Sequence, residues 1–388
     1  MMLIHNPDER RATEKMPEKV YFASMRAREP GQNTLSKIRR LFDAAGFSRM
    51  IEPGDLTAIK LHFGEWGNES YISPVHVRQV VERVKEAGGK PFLTDSNTLY
   101  RGRRSNAVDH LCTAIEHGFA FAVVAAPVII ADGLCGGNAR SVEICSKHFT
   151  NVLVSGDIAD SRAMIVLSHF KGHDVAGFGG AIKNLAMGCA PPAGKQAQHC
   201  ARPIHLEERC TGCGRCVSVC PRGAITLAGT GNGQRAKIDH SLCIGCFECM
   251  TACPSNAIDV DWETDVPEFI ERMVEYAAAV VKGREKKTGY MNFLLRVTPD
   301  CDCVPWSDVS IVPDIGILAS RDPVAIDAAS FDLVNAEEGN RGSFLQQNHG
   351  KGLDKFRGMW KSTDGYRQVQ YGEEILLGRS TYDLISID

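Results

Sequence analysis

The chain has 388 residues, 44% of them hydrophobic and 23% charged, and a formal net charge of −3, and this length predicts two to three domains. Its lysines and arginines are scattered and form no basic face, so nucleic acid is excluded as an expected partner. No apolar run approaches the ~20 residues of a membrane span, and residues 1–20 lack the apolar core of a secretory signal, so no membrane partner is expected.

The first part of the chain alternates between apolar strands and amphipathic helices. Residues 56–63 are predicted as a strand, and a helix is predicted to begin at Pro74, behind the N-cap residue Ser73. The apolar face of this helix consists of Val77, Val80, Val81 and Val84. Further strands are predicted to begin at residue 92 and to span residues 123–131, 152–154 and 163–169. Alternation of this kind is typical of a mostly parallel α/β sheet.

Polar stretches follow three of these strands at their carboxyl ends, where open α/β sheets bind ligands. They are KLHFGE at residues 60–65, TDSNTLYR at residues 94–101 and SHFKGHD at residues 168–174. From the first two stretches we predict that Lys60, His62, Asp95, Ser96 and Asn97 line a crevice that binds a cofactor. A lone histidine or lysine at such a position is more often structural, so the prediction depends on their convergence.

The third stretch supplies the candidate catalytic residues His169, Lys171 and His173. Histidines act as general acid–base groups or metal ligands near neutral pH, and lysines bind anions or act as nucleophiles. The stretch continues into GFGGAIKN at residues 177–184, whose glycines permit close backbone approach and open amides toward an anion. The cofactor-binding residues predicted there are Gly177, Gly179, Gly180, Lys183 and Asn184.

The expected ligand is a phosphate- or carboxylate-bearing molecule of unknown identity, or an additional metal. The glycine spacing matches neither the dinucleotide fingerprint nor the P-loop, so a tight turn without a ligand is the alternative.

Eight of the 15 cysteines form two runs of one spacing, C-x2-C-x2-C-x3-C-P, which is the spacing that [4Fe-4S] clusters need. The runs are Cys210, Cys213, Cys216 and Cys220, then Cys243, Cys246, Cys249 and Cys253. Residues 203–262 resemble a bacterial-type two-cluster ferredoxin, in which the fourth ligand crosses over. The resemblance implies one cluster on Cys210, Cys213, Cys216 and Cys253 and another on Cys243, Cys246, Cys249 and Cys220.

Zinc binding and a disulfide framework are the alternative interpretations of these runs. Zinc sites do not require two four-cysteine runs that each end in Cys-Pro, and disulfide frameworks belong to short secreted chains. Cubane ligation by thiolates implies a reducing cytoplasm, as in an anaerobe. Among the other cysteines, Cys112 and Cys145 are predicted as buried structural thiols, whereas Cys189, Cys200, Cys301 and Cys303 are weak candidates for a further metal or for redox chemistry.

The α/β pattern resumes after the cysteine runs. A helix is predicted over residues 267–281 with a capping box of Asp265 and Glu268, followed by strands at residues 291–297 and 315–318 and a helix over residues 323–334. We therefore predict one α/β body, residues 1–202 plus 263–388, interrupted by a small α+β two-cluster ferredoxin-like domain at residues 203–262. Three serial domains are the alternative, although the last would have a small core.

Several of these stretches resemble known families. The order of KLHFGE, TDSNTLYRGRRSN, SHFKGHDVAGFGGAIKNLAMG, the inserted ferredoxin and PDIGILASRDPVAIDAAS looks like the iron–sulfur-centre proteins of the domain-of-unknown-function family 362, which has no settled reaction. A fainter likeness is to the nickel-pincer lactate racemases, in which a histidine precedes the cofactor-holding lysine by ten residues, as His173 precedes Lys183. Here Ala186-Met187 stand where that group carries a proline.

Three functions fit these patterns. The first is a cytoplasmic oxidoreductase that passes single electrons between two [4Fe-4S] clusters and an anionic substrate or cofactor in the crevice. The second is a non-catalytic electron carrier or adaptor that docks a partner redox enzyme, and the third is a non-redox, epimerase-like enzyme with accessory clusters. The expected partner is a redox protein or a small-molecule substrate, and the oligomeric state is left open. Convergent polar groups and glycines favour the first function, because a docking scaffold does not need them.

Overall fold

The computed structural model describes residues 16–100, 102–199, 203–243, 249, 252–260 and 262–388. Its strands are β1 (Glu18–Ser24), β2 (Leu56–Lys60), β3 (Lys90–Asp95), β4 (Val128–Ile130), β5 (Ala139–Glu143), β6 (Asn151–Ser155), β7 (Ala163–His169), β8 (Lys171–His173), β9 (Gly177–Gly179), β10 (Pro203–His205), β11 (Ile225–Ala228), β12 (Arg235–Ile238), β13 (Ile258–Val260), β14 (Thr288–Leu294), β15 (Gly316–Ser320) and β16 (Tyr382–Ser386).

The α-helices are α1 (Thr34–Ala44), α2 (Pro74–Glu86), α3 (Ala107–Glu116), α4 (Phe121–Val124), α5 (Gly156–Ala159), α6 (Ala181–Cys189), α7 (Pro192–Gln198), α8 (Arg215–Val219), α9 (Trp262–Val281), α10 (Pro323–Ala336), α11 (Lys355–Met359) and α12 (Arg367–Glu374). In the described part of the chain, none of these helices combines the length and the apolar character that crossing a membrane requires.

An eight-stranded sheet in the order β16-β1-β15-β14-β7-β2-β3-β4 forms the centre of the body. Its neighbouring strands pair in parallel, except that β15 runs antiparallel to both β14 and β1. The predicted α/β class with a mostly parallel sheet is therefore confirmed. Strands from both sides of the cysteine runs share this sheet, because β14 pairs with β7 and β15 pairs with β1. The domain boundaries themselves stay a prediction.

Helices cover both faces of the sheet, which explains why its central strands β7, β14 and β15 are buried throughout. In β7, Met164 and Val166 contact one core, which also contains apolar residues of α6, α9 and α10. Ile165 and Leu167 contact the other core, together with apolar residues of α1 and α2. The result is a three-layer arrangement in which the polar ends of the parallel strands emerge at one edge.

The helix α2 confirms the predicted start and buried face. Pro74 occupies the first turn, and Val77, Val80, Val81 and Val84 are all buried. Ser73 takes the N-cap position, although its side chain accepts no capping hydrogen bond.

The start predicted for α9 is wrong. This helix begins at Trp262, so Asp265 and Pro267 lie inside it and Asp265 is not at the predicted N-terminus. Proline was expected in the first turn because its missing N–H costs nothing there. In α9 the helix instead continues for more than one turn before Pro267, where the ring removes one hydrogen bond of the helix interior.

Short apolar runs were the least predictable elements, because strand and helix share their composition at this length. Residues 123–131 divide between the end of α4 and the short strand β4. The predicted strand at residues 152–154 corresponds to β6, but it pairs antiparallel with β5 outside the central sheet.

The segment with the cysteine runs contains two small antiparallel pairs. β11 pairs with β12, and β10 pairs with β13 so that Pro203 lies opposite Val260. The strands β11 and β13 each follow one of the two cysteine runs. The first and last strands of the segment are thus neighbours, which places its two ends side by side.

Candidate functional site

The ends of β2 and β3 meet in a buried ion pair. Lys60 Nζ lies 3.0 Å from Asp95 Oδ1, and the two side chains are 0% and 3% exposed. Burial raises the pKa of Asp95, but the charge of Lys60 and of neighbouring cations outweighs it and holds that pKa well below its usual range. Asp95 is therefore a carboxylate, and the predicted convergence of these two strand ends is present.

The helix α6 packs directly against this pair. Lys60 Nζ donates to Asn184 Oδ1 at 2.7 Å, and Asn184 Nδ2 donates to the carbonyl of Leu167 at 2.9 Å. Asn184 thus links the lysine of β2 to the neighbouring strand β7. The predicted residues Lys60, Asp95 and Asn184 form one connected polar network.

Arg104 supplies a second buried cation on the other side of Asp95. Its guanidinium contacts Asp95 Oδ2 at 3.5 Å and Glu65 Oε2 at 3.2 Å, and it also donates to the Tyr100 hydroxyl. The ring of His110 lies 3.8 Å from Asp95. Burial lowers the pKa of His110 to about 3, so this ring is neutral.

His169 has acceptors on both ring nitrogens. Nδ1 lies 2.9 Å from Asp302 Oδ1, and Nε2 lies 3.0 Å from the carbonyl oxygens of Leu295 and Arg296. A carboxylate and carbonyls can only accept, so both nitrogens donate and neither has a free lone pair. In this arrangement His169 holds the backbone in place, and its predicted catalytic role would need these contacts to break.

Lys171 lies beside His169 and the same carboxylate. Its Nζ donates to the His169 carbonyl at 2.8 Å and lies 3.4 Å from Asp302 Oδ2. An ammonium has three donors, so Lys171 can make a further hydrogen bond.

His62 and His173 share a local hydrogen-bond pattern. The Nδ1 atom of His62 accepts from the Gly64 N–H at 2.9 Å. That of His173 accepts from the N–H groups of Val175 and Ala176 at 3.1 and 3.0 Å. An Asp174 oxygen also lies 3.1 Å from His173 Nδ1, but two N–H donors at that atom decide its role as an acceptor.

The tautomer of both rings follows from this pattern. A neutral imidazole that accepts at Nδ1 carries its proton on Nε2. Burial, reinforced by Arg104 near His62 and Lys183 near His173, lowers the pKa of each ring well below its usual value. Each histidine therefore offers a neutral N–H donor, which suits an anionic or carbonyl ligand better than a metal ion.

The glycine-rich turn already holds an anion, and it is internal. The N–H groups of Ala181 and Ile182, at the start of α6, donate to the two oxygens of Asp327 at 2.7 and 2.9 Å. A Cβ on Gly180 would lie 2.3 Å from Asp327 Oδ1, so a side chain there does not fit. These amides, expected to face an external anion, are occupied by a carboxylate of α10.

Lys183 and the Ser96–Asn97 pair lie elsewhere along the crevice. Lys183 Nζ lies 3.5 Å from Cys301 Sγ. Ser96 Oγ accepts from Lys195 at 2.7 Å, and the Asn97 N–H donates to Asp132 at 3.0 Å. Ser96 and Asn97 therefore make internal contacts here, whereas Lys183 contacts a thiol. Gly179 leaves space for the side chains of both Lys171 and Lys183.

A separate hollow, partly open to solvent, lies beside the first cysteine run. Its lining includes Cys210, Cys213, Cys216 and Cys253. The Ala236 N–H donates to Cys210 Sγ at 3.5 Å, and the Ala257 N–H donates to Cys253 Sγ at 3.2 Å. Among the residues that the structure describes, no group of three or more His, Cys, Asp or Glu side chains is arranged so that it could hold one metal ion.

The other cysteines differ in their surroundings. Cys220 Sγ accepts from the Ala224 N–H at 3.2 Å, and Cys246 lies outside the described residues, as does Cys200. Cys112 and Cys145 are exposed, so their prediction as buried thiols is wrong.

Residues 57–332 match a family described as Domain of unknown function (DUF362). The chain belongs to this family. The match extends over both sides of the cysteine runs, and the predicted membership of this family is confirmed. The family description assigns no reaction to the DUF362 fold.

Two further proteins are similar to parts of this DUF362 chain. Over 161 residues it is 28% identical to the "Thylakoid-associated protein sll1697" of Synechocystis sp., which covers 40% of this chain and 46% of that protein. The chain thus aligns with less than half of this curated relative. The lactate racemase apoprotein from Thermoanaerobacterium thermosaccharolyticum matches 76% of this chain and 53% of its own at 11% identity, with a TM-score of 0.35.

Several residues of the DUF362 crevice were not predicted. Arg104 and Asp302 are fully buried partners of Asp95 and His169, and Lys195 and His199 lie close by, with pKa values that burial lowers to about 8 and about 4. A signal for Arg104 existed in the motif TDSNTLYRGRRSN, but nothing distinguished it from the adjacent arginines. For Asp302 the signal was its position between Cys301 and Cys303 in the sequence.

Proposed function

We propose that this DUF362 protein is an iron–sulfur oxidoreductase that passes single electrons between two [4Fe-4S] clusters and an anionic substrate or cofactor in the crevice. The observation that carries the proposal is the lining of the cysteine hollow. Cys253, from the second run, lies with Cys210, Cys213 and Cys216 of the first, which is the crossed set that the ferredoxin resemblance implies.

The donor set suits a cubane. Backbone N–H groups point at Cys210 and Cys253, and such hydrogen bonds stabilise ligating sulfurs. Burial raises the pKa of Cys253, but the Ala257 N–H and Ser255 outweigh it and lower that pKa. A cubane holds its sulfur ligands farther apart than a single metal ion does. A cubane site is therefore compatible with the lack of a single-ion site among the described residues. Cys243, Cys246, Cys249 and Cys220 would hold the second cluster.

The crevice would bind an anion through donors that its own network leaves available. The Nε2–H groups of His62 and His173 are neutral donors, and the ammonium groups of Lys171 and Lys183 have donors beyond the contacts described above. Bound clusters supply and accept single electrons. The crevice residues orient the ligand and hold protons beside it, which offsets the negative charge that an added electron brings.

Anaerobic reconstitution tests the clusters. The protein should bind about eight irons per chain, from four per cubane, and give paramagnetic signals after reduction. Replacement of Cys253 by Ser should lower the iron content to about half, because it removes the crossing ligand of one cluster. The matched control is Cys112→Ser, at an exposed cysteine outside both runs, which should leave the iron content unchanged. Binding of zinc without iron would remove the electron-transfer function.

Ligand binding tests the crevice. Small molecules released from anaerobically purified protein would be identified by mass spectrometry and their affinity remeasured with Lys183→Gln. Loss of a charged hydrogen bond should weaken anion binding by about tenfold or more, with the iron content intact. The control Lys147→Gln, at a side chain that is 63% exposed, should bind as the parent does. Unchanged binding in Lys183→Gln would place the ligand elsewhere. Iron without any bound small molecule would favour the carrier function.

A further inference from the structure

The loop after β14 carries two cysteines around a fixed aspartate. Asp302 is completely buried, and its carboxylate accepts from His169 Nδ1 and Ser70 Oγ, both at 2.9 Å. Its backbone carbonyl accepts from the Glu65 N–H at 2.9 Å. These contacts come from two separate segments of the chain, the loop after β2 and the end of β7. They fix the positions of Cys301 and Cys303 on either side.

Cys301 is a buried thiol with a cation beside it. Its sulfur lies 3.5 Å from Lys183 Nζ, and the residue is 6% exposed. Lys183 and Cys303 are only partly buried, so the pair lies in the wall of the crevice and not in a sealed core. Cys303 shares a hydrogen bond with Cys301.

The surroundings of Cys301 differ from those of an ordinary buried cysteine. Cys189 is also buried, and there desolvation raises the pKa of the thiol to about 11. At Cys301 the hydrogen bond from Cys303, followed by the charges of Lys183 and Lys171, outweighs burial and lowers the pKa well below its usual value. The pKa values of Cys189 and Cys301 are thus shifted in opposite directions.

We propose that Cys301 is a thiolate nucleophile that adds to a carbonyl carbon of the ligand in the crevice. A bond forms between Cys301 Sγ and the carbonyl carbon, the π electron pair of the C=O group moves to its oxygen, and that oxygen takes a proton from the Lys183 ammonium. No electron is gained or lost in this step. Cys303 activates the thiolate, and His169 and Asp302 are positioning residues.

This inference rests on the crevice being the ligand site of the proposed function, but it does not depend on the clusters. Its ligand class is an anionic aldehyde, ketone or similar carbonyl compound. The N–H donors of His62 and His173 and the lysines suit both the carboxylate and the oxyanion that forms on addition.

Alkylation of the intact protein tests the thiolate. Iodoacetamide would be applied anaerobically between about pH 6 and pH 9, and the modification of each cysteine followed by peptide mass spectrometry. Only the thiolate reacts, so the rate at exposed Cys112 should rise up to about tenfold per pH unit, whereas the rate at Cys301 should stay flat. Lys183→Gln and Cys303→Ala should each restore a pH-dependent rate at Cys301, and Cys303→Ser, which keeps a donor, should do so less.

Protection by small anions tests the addition. Glyoxylate carries a carboxylate and an aldehyde, and glycolate has the same charge without a carbonyl. Glyoxylate should slow alkylation of Cys301 severalfold, whereas glycolate should not. Equal protection by both would overturn the addition, since it indicates anion binding alone.

Three other results would overturn the thiolate. The first is an alkylation rate at Cys301 that rises with pH as the rate at Cys112 does. The second is faster alkylation of Cys303 than of Cys301, and the third is no alkylation of Cys301 by the time Cys112 is fully alkylated. Iron would be measured in the same samples. Loss of iron with a flat Cys301 profile would count against the clusters and not against the thiolate.

Discussion

At the scale of single residues, Lys60 and Asp95 depend on each other because water does not reach either charge. Both emerge from adjacent parallel strands, and the backbone pairing of β2 with β3 fixes their separation. A buried pair of this kind adds little net stability compared with apolar residues, but removal of one partner leaves the other charge buried and uncompensated.

Asp95→Asn should therefore lower the free energy of unfolding by about 3–5 kcal/mol. The amide keeps the shape of the side chain but not its charge, so Lys60 and Arg104 lose their shared anion. Urea denaturation measures the change. The control is Asp160→Asn, whose partner Arg140 is 47% exposed, and it should change stability by no more than about 0.5 kcal/mol. Similar losses in both variants would contradict the buried pair.

His110 should make the stability depend on pH. Its folded pKa is about 3, whereas in the unfolded chain it is about 6.5. Between these values the unfolded chain binds a proton that the folded chain does not, so stability is lost as the pH falls below about 6.5. This amounts to about 2 kcal/mol between pH 7 and pH 5.

The variant His110→Leu should lose this contribution. In the described structure neither ring nitrogen has a hydrogen-bond partner, so an apolar side chain leaves no group unsatisfied. The buried carboxyls Asp322 and Asp327, whose pKa burial raises to about 6, act in the opposite direction. The measurement is therefore the difference between parent and variant in urea at each pH. A difference that does not change with pH would mean that His110 is charged in the fold.

Sequence reasoning found the residues whose position follows from a strand end and missed those that approach from a distance. Lys60, Asp95 and His169 end β2, β3 and β7, and parallel pairing places these strand ends at one edge. His62 follows the end of β2 by two residues. Asp302 reaches His169 from 133 positions away, and Asp327 reaches Ala181 from 146. No periodicity along the chain encodes such contacts, and a buried charge looks like an exposed one in a sequence.

At the scale of elements, α6 shows how one helix end is fixed by another helix. Asp327 of α10 accepts from the first amides of α6 and from Asn292 of β14 at 2.7 Å. A carboxylate at a helix N-terminus also suits the helix dipole. Because α6 carries Lys183 and Asn184, this contact determines where both side chains enter the crevice.

Gly180→Ala should disturb this arrangement. A Cβ at Gly180 would lie 2.3 Å from Asp327 Oδ1, so the carboxylate or the helix must move, at a cost of about 1–3 kcal/mol. Thermal unfolding measures the loss. Gly137→Ala is the matched control, since a Cβ there meets nothing within 4 Å among the described residues, and its melting temperature should stay close to the parent's. If the two variants have the same melting temperature, the carboxylate of Asp327 does not pack against Gly180 as closely as the structure shows.

At the scale of the whole molecule, the central sheet needs strands from both sides of the cysteine runs, but the described strands β10, β11, β12 and β13 lie outside it. β14 and β15 lie between β7 and β1, so the later strands occupy the middle of the sheet. β10 and β13 pair with each other, and their residues Pro203 and Val260 are register partners. A segment whose ends are neighbours can be exchanged for a short linker without moving the chain on either side.

A variant in which a short Gly-Ser linker joins residue 199 to residue 262 should therefore keep the α/β body folded while binding no iron. Circular dichroism and cooperative urea unfolding would show the body, and metal analysis would show the loss of the clusters. The control is a chain truncated after residue 262, which lacks β14, β15, β16 and α9. It should not fold, because β1 loses both of its partner strands and β7 loses β14. An unfolded or aggregated linker variant would mean that the cysteine segment is part of the core, and the prediction of an inserted domain would be wrong.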